Sequence, residues 1–127
     1  MKLRVLVLAM TTVTAYAHHA LDATYDLKKE VKIEGKIVGF LLRNPHSFVQ
    51  IRAADQDGIV QVFSLEWGSA NSLAKRGIKA GVLKNGDDVI VTWNPSRRPS
   101  NNRGVLTTLR RQSDGLEWDA HPQRKHS

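Results

Sequence analysis

Residues 31–52 read Val31-Lys32-Ile33-Glu34-Gly35-Lys36-Ile37-Val38-Gly39-Phe40-Leu41-Leu42-Arg43-Asn44-Pro45-His46-Ser47-Phe48-Val49-Gln50-Ile51-Arg52, and their pattern decides the fold. From Val31 to Lys36, apolar or small residues alternate with charged ones, the period of a strand with one buried face. From Ile37 to Leu42 both faces are apolar. That change midway fits one long strand that bends and serves two sheets. Gly35 and Gly39 are the positions where such a strand kinks or bulges. Pro45 ends it, and a second strand runs from His46 to Ala53. The corner thus places a histidine, a titratable metal-ligand type, where a strand begins.

Working outward, Asp55-Gln56-Asp57-Gly58 is a turn cluster and Ile59 to Glu66 reads as a third strand. Ser69 is positioned to N-cap a short helix, Ala70 to Arg76, with Gly77 as the residue that ends it. Lys75 and Arg76 then fall in the last turn, where the helix dipole favours cations. After Lys84-Asn85-Gly86-Asp87, Asp88 to Trp93 forms a fourth strand and Val105 to Arg111 a fifth. The polar loop between them, Asn94 to Arg103, carries Arg97, Arg98 and Arg103. Three strands, one short helix, then two strands is the order of an all-β, OB-like five-stranded barrel spanning residues 31–111. The alternative is another small barrel or sandwich with an incidental helix. The inward residues expected are Ile33, Ile37, Val49, Ile51, Val62, Val89, Val91 and Leu109. Residues 18–30 read as an extended arm pinned by Leu21, Tyr25 and Leu27, and residues 112–127 as a polar tail. Trp67, Trp93 and Trp118 are assigned to packing.

The first residues carry a different message. Met1-Lys2-Leu3-Arg4, the apolar run Val5 to Met10, and Ala15-Tyr16-Ala17 are the three parts of a secretory signal peptide, in order. The apolar run is far shorter than the roughly 20 residues that span a bilayer, so no membrane anchor is expected. Cleavage after Ala17 leaves 110 of the 127 residues and makes His18 the mature N-terminus. The protein is then periplasmic or secreted. Loss of Lys2 and Arg4 lowers the formal charge from +7 to +5, a modest excess that favours anionic partners in general. The chain has no cysteine, which excludes disulfides, thiolate metal sites and thiol catalysis.

Several motifs lie on this scaffold in order: Ala17-His18-His19-Ala20, Gly35, Asn44-Pro45-His46, Glu66, and Leu83-Lys84-x-Gly86-Asp87-x-Val89. Together they resemble a family of uncharacterised exported bacterial proteins, domain of unknown function 6152. The resemblance covers Ala17 to about Leu106. Members usually carry an aromatic residue two before the Asn, where this chain has Leu42, and Gly after the fourth strand, where it has Asn94. The family implies no established activity, so the chemistry rests on the residues themselves.

Two sites compete. With the second hairpin centred on Gln56, His46 lies directly opposite Glu66 on one face, Cβ atoms about 4.5–5.5 Å apart. Such a pair is a metal unit, or simply a rim histidine with a carboxylate partner. A mature N-terminal His18 would offer its amine and its imidazole to one ion, and His46 a third nitrogen. Nitrogen sets of this kind suit Cu(II), with zinc and nickel less favoured. The likeness to copper "histidine brace" sites is chemical only. His19 and Glu66 are further candidate ligands. An arm of 13 residues spans about 43 Å when extended, against about 40 Å for the first strand, so His18 reaches the corner only if the arm is nearly straight. The bland account is an idle, frayed terminus. The second site is the basic barrel end, where Asn44, Arg97, Arg98 and Arg103 would hold an anionic ligand, glycan or protein partner through arginine forks. Its bland account is a solvated loop. His121 and His126 are assigned nothing.

No Gly-x-Ser-x-Gly, His-Glu-x-x-His or phosphate loop appears, and no catalytic residue is assigned. A monocopper oxidase would need a substrate surface that the sequence does not display. Nucleic-acid binding is not expected, because strands two and three lack aromatic residues alternating with basic ones. The expectation is therefore an exported metal-binding barrel, with copper favoured. Its rival is a metal-free module for an anionic ligand.

Overall fold

The strand that bends is the frame of the molecule. A computed structural model describes residues 20–121 of the chain. In it β1, Val31–Leu41, pairs antiparallel with β4, Asp88–Pro95, through Val31 to Lys36. It then pairs with β2, Ser47–Ala54, through Lys36 to Leu41. Lys36 belongs to both ladders, opposite Arg52 and Asp88, and its Nζ lies 2.8 Å from Asp88 Oδ1. The register shifts between Ile37 and Gly39, so Val38 is the bulged residue. The strand does bend, between the two glycines, but it serves one sheet and not two: all the strands belong to a single sheet that curls round on itself.

β3, Val60–Trp67, pairs with β2, and β5, Arg103–Arg111, pairs with β4. A parallel pairing of Ser64, Leu65 and Glu66 with Arg103, Gly104 and Val105 closes the barrel. The five-strand, OB-like architecture is present. One short helix, α1 (Ala70–Ala74), bridges β3 and β4. Ser69 Oγ accepts from the Ser72 amide at 3.1 Å, the expected N-cap. The helix is shorter than expected, because Lys75 is already its C-cap and Lys75 and Arg76 follow it. Gly77 takes φ +83°, and the Ile78 amide returns to Leu73 O at 2.9 Å, which lets buried Ile78 pack beneath the helix.

Ile37, Val49, Ile51, Val89, Val91 and Leu109 are buried in one core with Leu65, Trp67, Leu73 and Leu106. Ile33 packs against that core from its edge. Val62 does not: it is 43% exposed. The reason is parity, since Val62 faces Arg52 across the ladder and shares the outer side with Gln50 and Ser64. Phe63, Leu65 and Trp67 take the inner side of β3 instead.

Two further departures lie outside the barrel proper. Residues 20–24 form a helical turn rather than extended chain. Residues 117–119, inside the expected polar tail, form a sixth strand, β6 (Glu117–Asp119), on β5. Trp118 drives it: the ring meets Trp67 edge-on at 5.2 Å and carries the Arg76 guanidinium 5.0 Å from its centre. A three-residue strand is too short to show a period in sequence. Among the described residues, no helix is long and apolar enough to cross a membrane.

The β5 end is tied by Arg111, which holds Asp87 at 3.0 Å and Asp114 at 2.8 Å. Hydrogen bonds from Arg111 pull Asp114 down from the ordinary 3.8 to about 2, helped by the Leu116 amide. Asp87 is lowered as well, first by the Lys84 amide and then by Arg111. A carboxyl whose folded pKa lies below its unfolded one stabilises the fold above about pH 4, and that contribution disappears as pH falls towards 2. Asp114→Asn is therefore expected to lower the neutral melting temperature modestly and to flatten part of the acid-unfolding curve over that interval, so that variant and parent converge towards pH 2. Melting temperature against pH is the measurement, and an unaltered acid slope counts against the assignment.

Candidate functional site

The Asn44-Pro45-His46 corner is held from below. Ser47 is fully buried, and its hydroxyl both accepts from the Arg43 amide and donates to Arg43 O, at 3.1 and 3.2 Å. The first amides of α1 complete the clamp: Ala70 N donates to Arg43 O and Asn71 N to Asn44 Oδ1. Asn44, expected at the ligand, thus serves as a cap for the helix.

His46 stands on this clamp with its side chain 57% exposed. Its Nδ1 lies 3.3 Å from Glu66 Oε1. The hairpin register differs from the expected one: Glu66 is opposite Phe48, and the turn centres on Asp57. His46 is therefore the diagonal neighbour of Glu66, on the same face, and the pair still meets. The other carboxylate oxygen is taken too. Tyr25 Oη donates to Glu66 Oε2 at 2.6 Å. Burial, followed by the hydrogen bond to Glu66, raises the Tyr25 pKa, while Arg103 opposes the shift. The phenol accordingly stays protonated and keeps donating.

Tyr25 brings the N-terminal arm to this spot. It is buried, bridges to Ser96, and is flanked by Asp26 N to Pro95 O at 2.8 Å. Arg97 locks the same segment, with Nη2 on Asp22 Oδ1 at 2.9 Å, Nε on Asp22 O and its amide on Thr24 O. The arm does not run back along β1, as the extended-chain measure supposed. Val31 already pairs with Trp93 near the β4–β5 connection, and β3–β5 closure sets Glu66 beside that connection. The arm need only fold over it. Tyr25, with no clean period around it, is the site residue that the sequence did not mark.

The three loop arginines do not form one cluster. Arg97 is spent on the arm, and Arg98 is exposed ahead of the turn Pro99–Asn101. Arg103 lines a groove on the outer sheet face. His18 and His19 lie outside the described residues, as does His126; His121 is exposed. Among the described residues, no group of three or more His, Cys, Asp or Glu side chains is gathered to hold a metal ion. What the site offers is one exposed imidazole with Nδ1 3.3 Å from a carboxylate that is itself held by a buried phenol.

Neither the search of curated proteins nor that of solved structures returns a match. A family model does match, over residues 6–106, and that span includes the arm, the corner, Glu66 and the first residues of β5 that close the barrel. The chain belongs to DUF6152, a family of unknown function.

Proposed function

We propose that this chain is an exported metal-binding barrel, with Cu(II) the favoured ion and zinc or nickel less so. The observation that carries the reading is the chain Tyr25–Glu66–His46. A metal-bound histidine usually gives its other ring nitrogen to a carboxylate, which fixes the tautomer and the ring direction. Glu66 is engaged at both oxygens, so it serves as that orienting group and not as a ligand. His46 would then offer Nε2. The donor set fits only if another segment supplies nitrogens, and His18 is the candidate, with His19 beside it. The tether from Tyr25 back to residue 18 is seven residues, at most about 23 Å. An N-terminal histidine binds through amine and imidazole together, and the amine must lose its proton near neutrality.

The test is copper titration of protein beginning at His18 against the same protein with its α-amine acetylated. Acetylation removes the chelating amine and leaves both imidazoles in place. Affinity is expected to fall at least tenfold on acetylation, to fall on His46→Ala, and to stay level on His126→Ala. Glu66→Gln should weaken binding by about 10–100-fold. Equal affinity in the free-amine and acetylated forms would refute the assignment of His18. Intact mass of the exported protein checks the premise, with loss of residues 1–17 expected.

A further inference from the structure

A second feature stands apart from the His46 ring. Across the outer face of the sheet, β-pairing aligns four residues in one row: Gly39 opposite Gln50, Gln50 opposite Ser64, and Ser64 opposite Arg103. An open groove of about 590 Å³ lies over this row, bounded also by Arg43 and Phe48. That volume is within the range of small-ligand sites. Neither Arg43 nor Arg103 has a carboxylate within ion-pair distance among the described residues, whereas the exposed Arg97 and Arg110 each have one. Arg43 is nonetheless held in place. Its Nε donates to His46 O at 3.2 Å and its guanidinium lies 5.1 Å from the Phe48 ring centre.

Gly39 explains the shape of the floor. A Cβ there would fall 2.7 Å from Gln50 Oε1, so glycine is what lets the Gln50 amide lie across β1. The groove thus combines two guanidinium forks that have no carboxylate partner among the described residues, Arg103 at the end of the row and Arg43 beside it over Phe48, with an amide and a hydroxyl in the row itself. Forks of that kind fit carboxylates, and amide and hydroxyl groups fit sugar hydroxyls.

We propose that the outer face of β1, β2 and β3 binds an acidic oligosaccharide, its carboxylates on Arg43 and Arg103 and its hydroxyls on Gln50 and Ser64. Two rival occupants fit less well. Gln50 and Ser64 lie where their strands are paired on both sides, so an extended peptide finds no ladder to join. Single-stranded nucleic acid needs open aromatic platforms. Phe48 carries Arg43 on one face, and Phe40 is tilted against Trp67 at 5.7 Å.

The experiment is calorimetric titration with an oligogalacturonate tetramer at low salt, with a neutral maltotetraose and an oligo-dT strand as comparison probes. Binding of the acidic sugar alone is expected. Arg43→Ala and Arg103→Ala should each weaken it at least tenfold, and Arg103→Lys should recover only part of the loss. Gly39→Ala should weaken it several-fold with its melting temperature nearly intact, because only the Gln50 amide must move. Lys79→Ala, which removes the same charge from an exposed position outside the groove, should change it less than twofold. The idea is overturned by no binding of the acidic sugar, by equal losses at Lys79 and at the two arginines, or by tighter binding of oligo-dT. Each of these results is independent of copper affinity.

Discussion

Trp67→Ala is expected to lower stability by about 3–5 kcal/mol, the range for removing a buried indole from a close-packed core. Trp67 is 3% exposed and joins three parts of the molecule. Its ring lies 5.7 Å from Phe40 on β1 and 5.2 Å from Trp118 on β6, and it ends the strand that carries Glu66. Truncation would open a cavity between barrel and β6 that neither neighbour can fill. For a domain of this size the loss corresponds to a fall in melting temperature on the order of 20 °C. Trp67→Phe supplies the comparison. It keeps most of the ring contact and deletes an Nε1–H that has no hydrogen-bond partner among the described residues, so less than about 1.5 kcal/mol should be lost. Denaturant midpoints of the two variants decide the matter. Similar losses in both would mean that the aromatic packing is not what holds β6.

Gly35→Ala is expected to approach that effect, about 3 kcal/mol, at the upper end for overpacking. A Cβ on Gly35 would run into the Arg52 carbonyl, with Ala53 Cβ at 2.8 Å and Ile51 Cγ2 at 3.0 Å. The obstacle is backbone, so relief requires β1 and β2 to separate at the bend on which both ladders depend. Gly39→Ala, four residues along the same strand, meets only the far end of the Gln50 side chain. Its stability loss should stay below about 1 kcal/mol. Chemical denaturation of the two variants side by side is the measurement. Equal losses would show that the bend is not imposed by the approach of Gly35 to β2.

The bent first strand, the cap at Ser69, the helix between β3 and β4 and the order of the strands were all legible in the sequence. Each rests on local rules: side-chain period, turn chemistry, and the backbone freedom of glycine. The pairing of His46 with Glu66 was legible for the same reason, because face parity in a hairpin survives a shift of the turn from Gln56 to Asp57. Tertiary structure alone decided the rest. Val62 is apolar yet faces outward, since its face is set by the ladder and not by its own hydrophobicity. Asn44, Arg97 and Arg103 look alike as polar loop residues, but long-range contacts send the first to a helix amide, the second to Asp22 and the third to the groove. Tyr25 reaches Glu66 across a separation of 41 residues. Contacts of that length leave no period in the chain, and only closure of the barrel creates them.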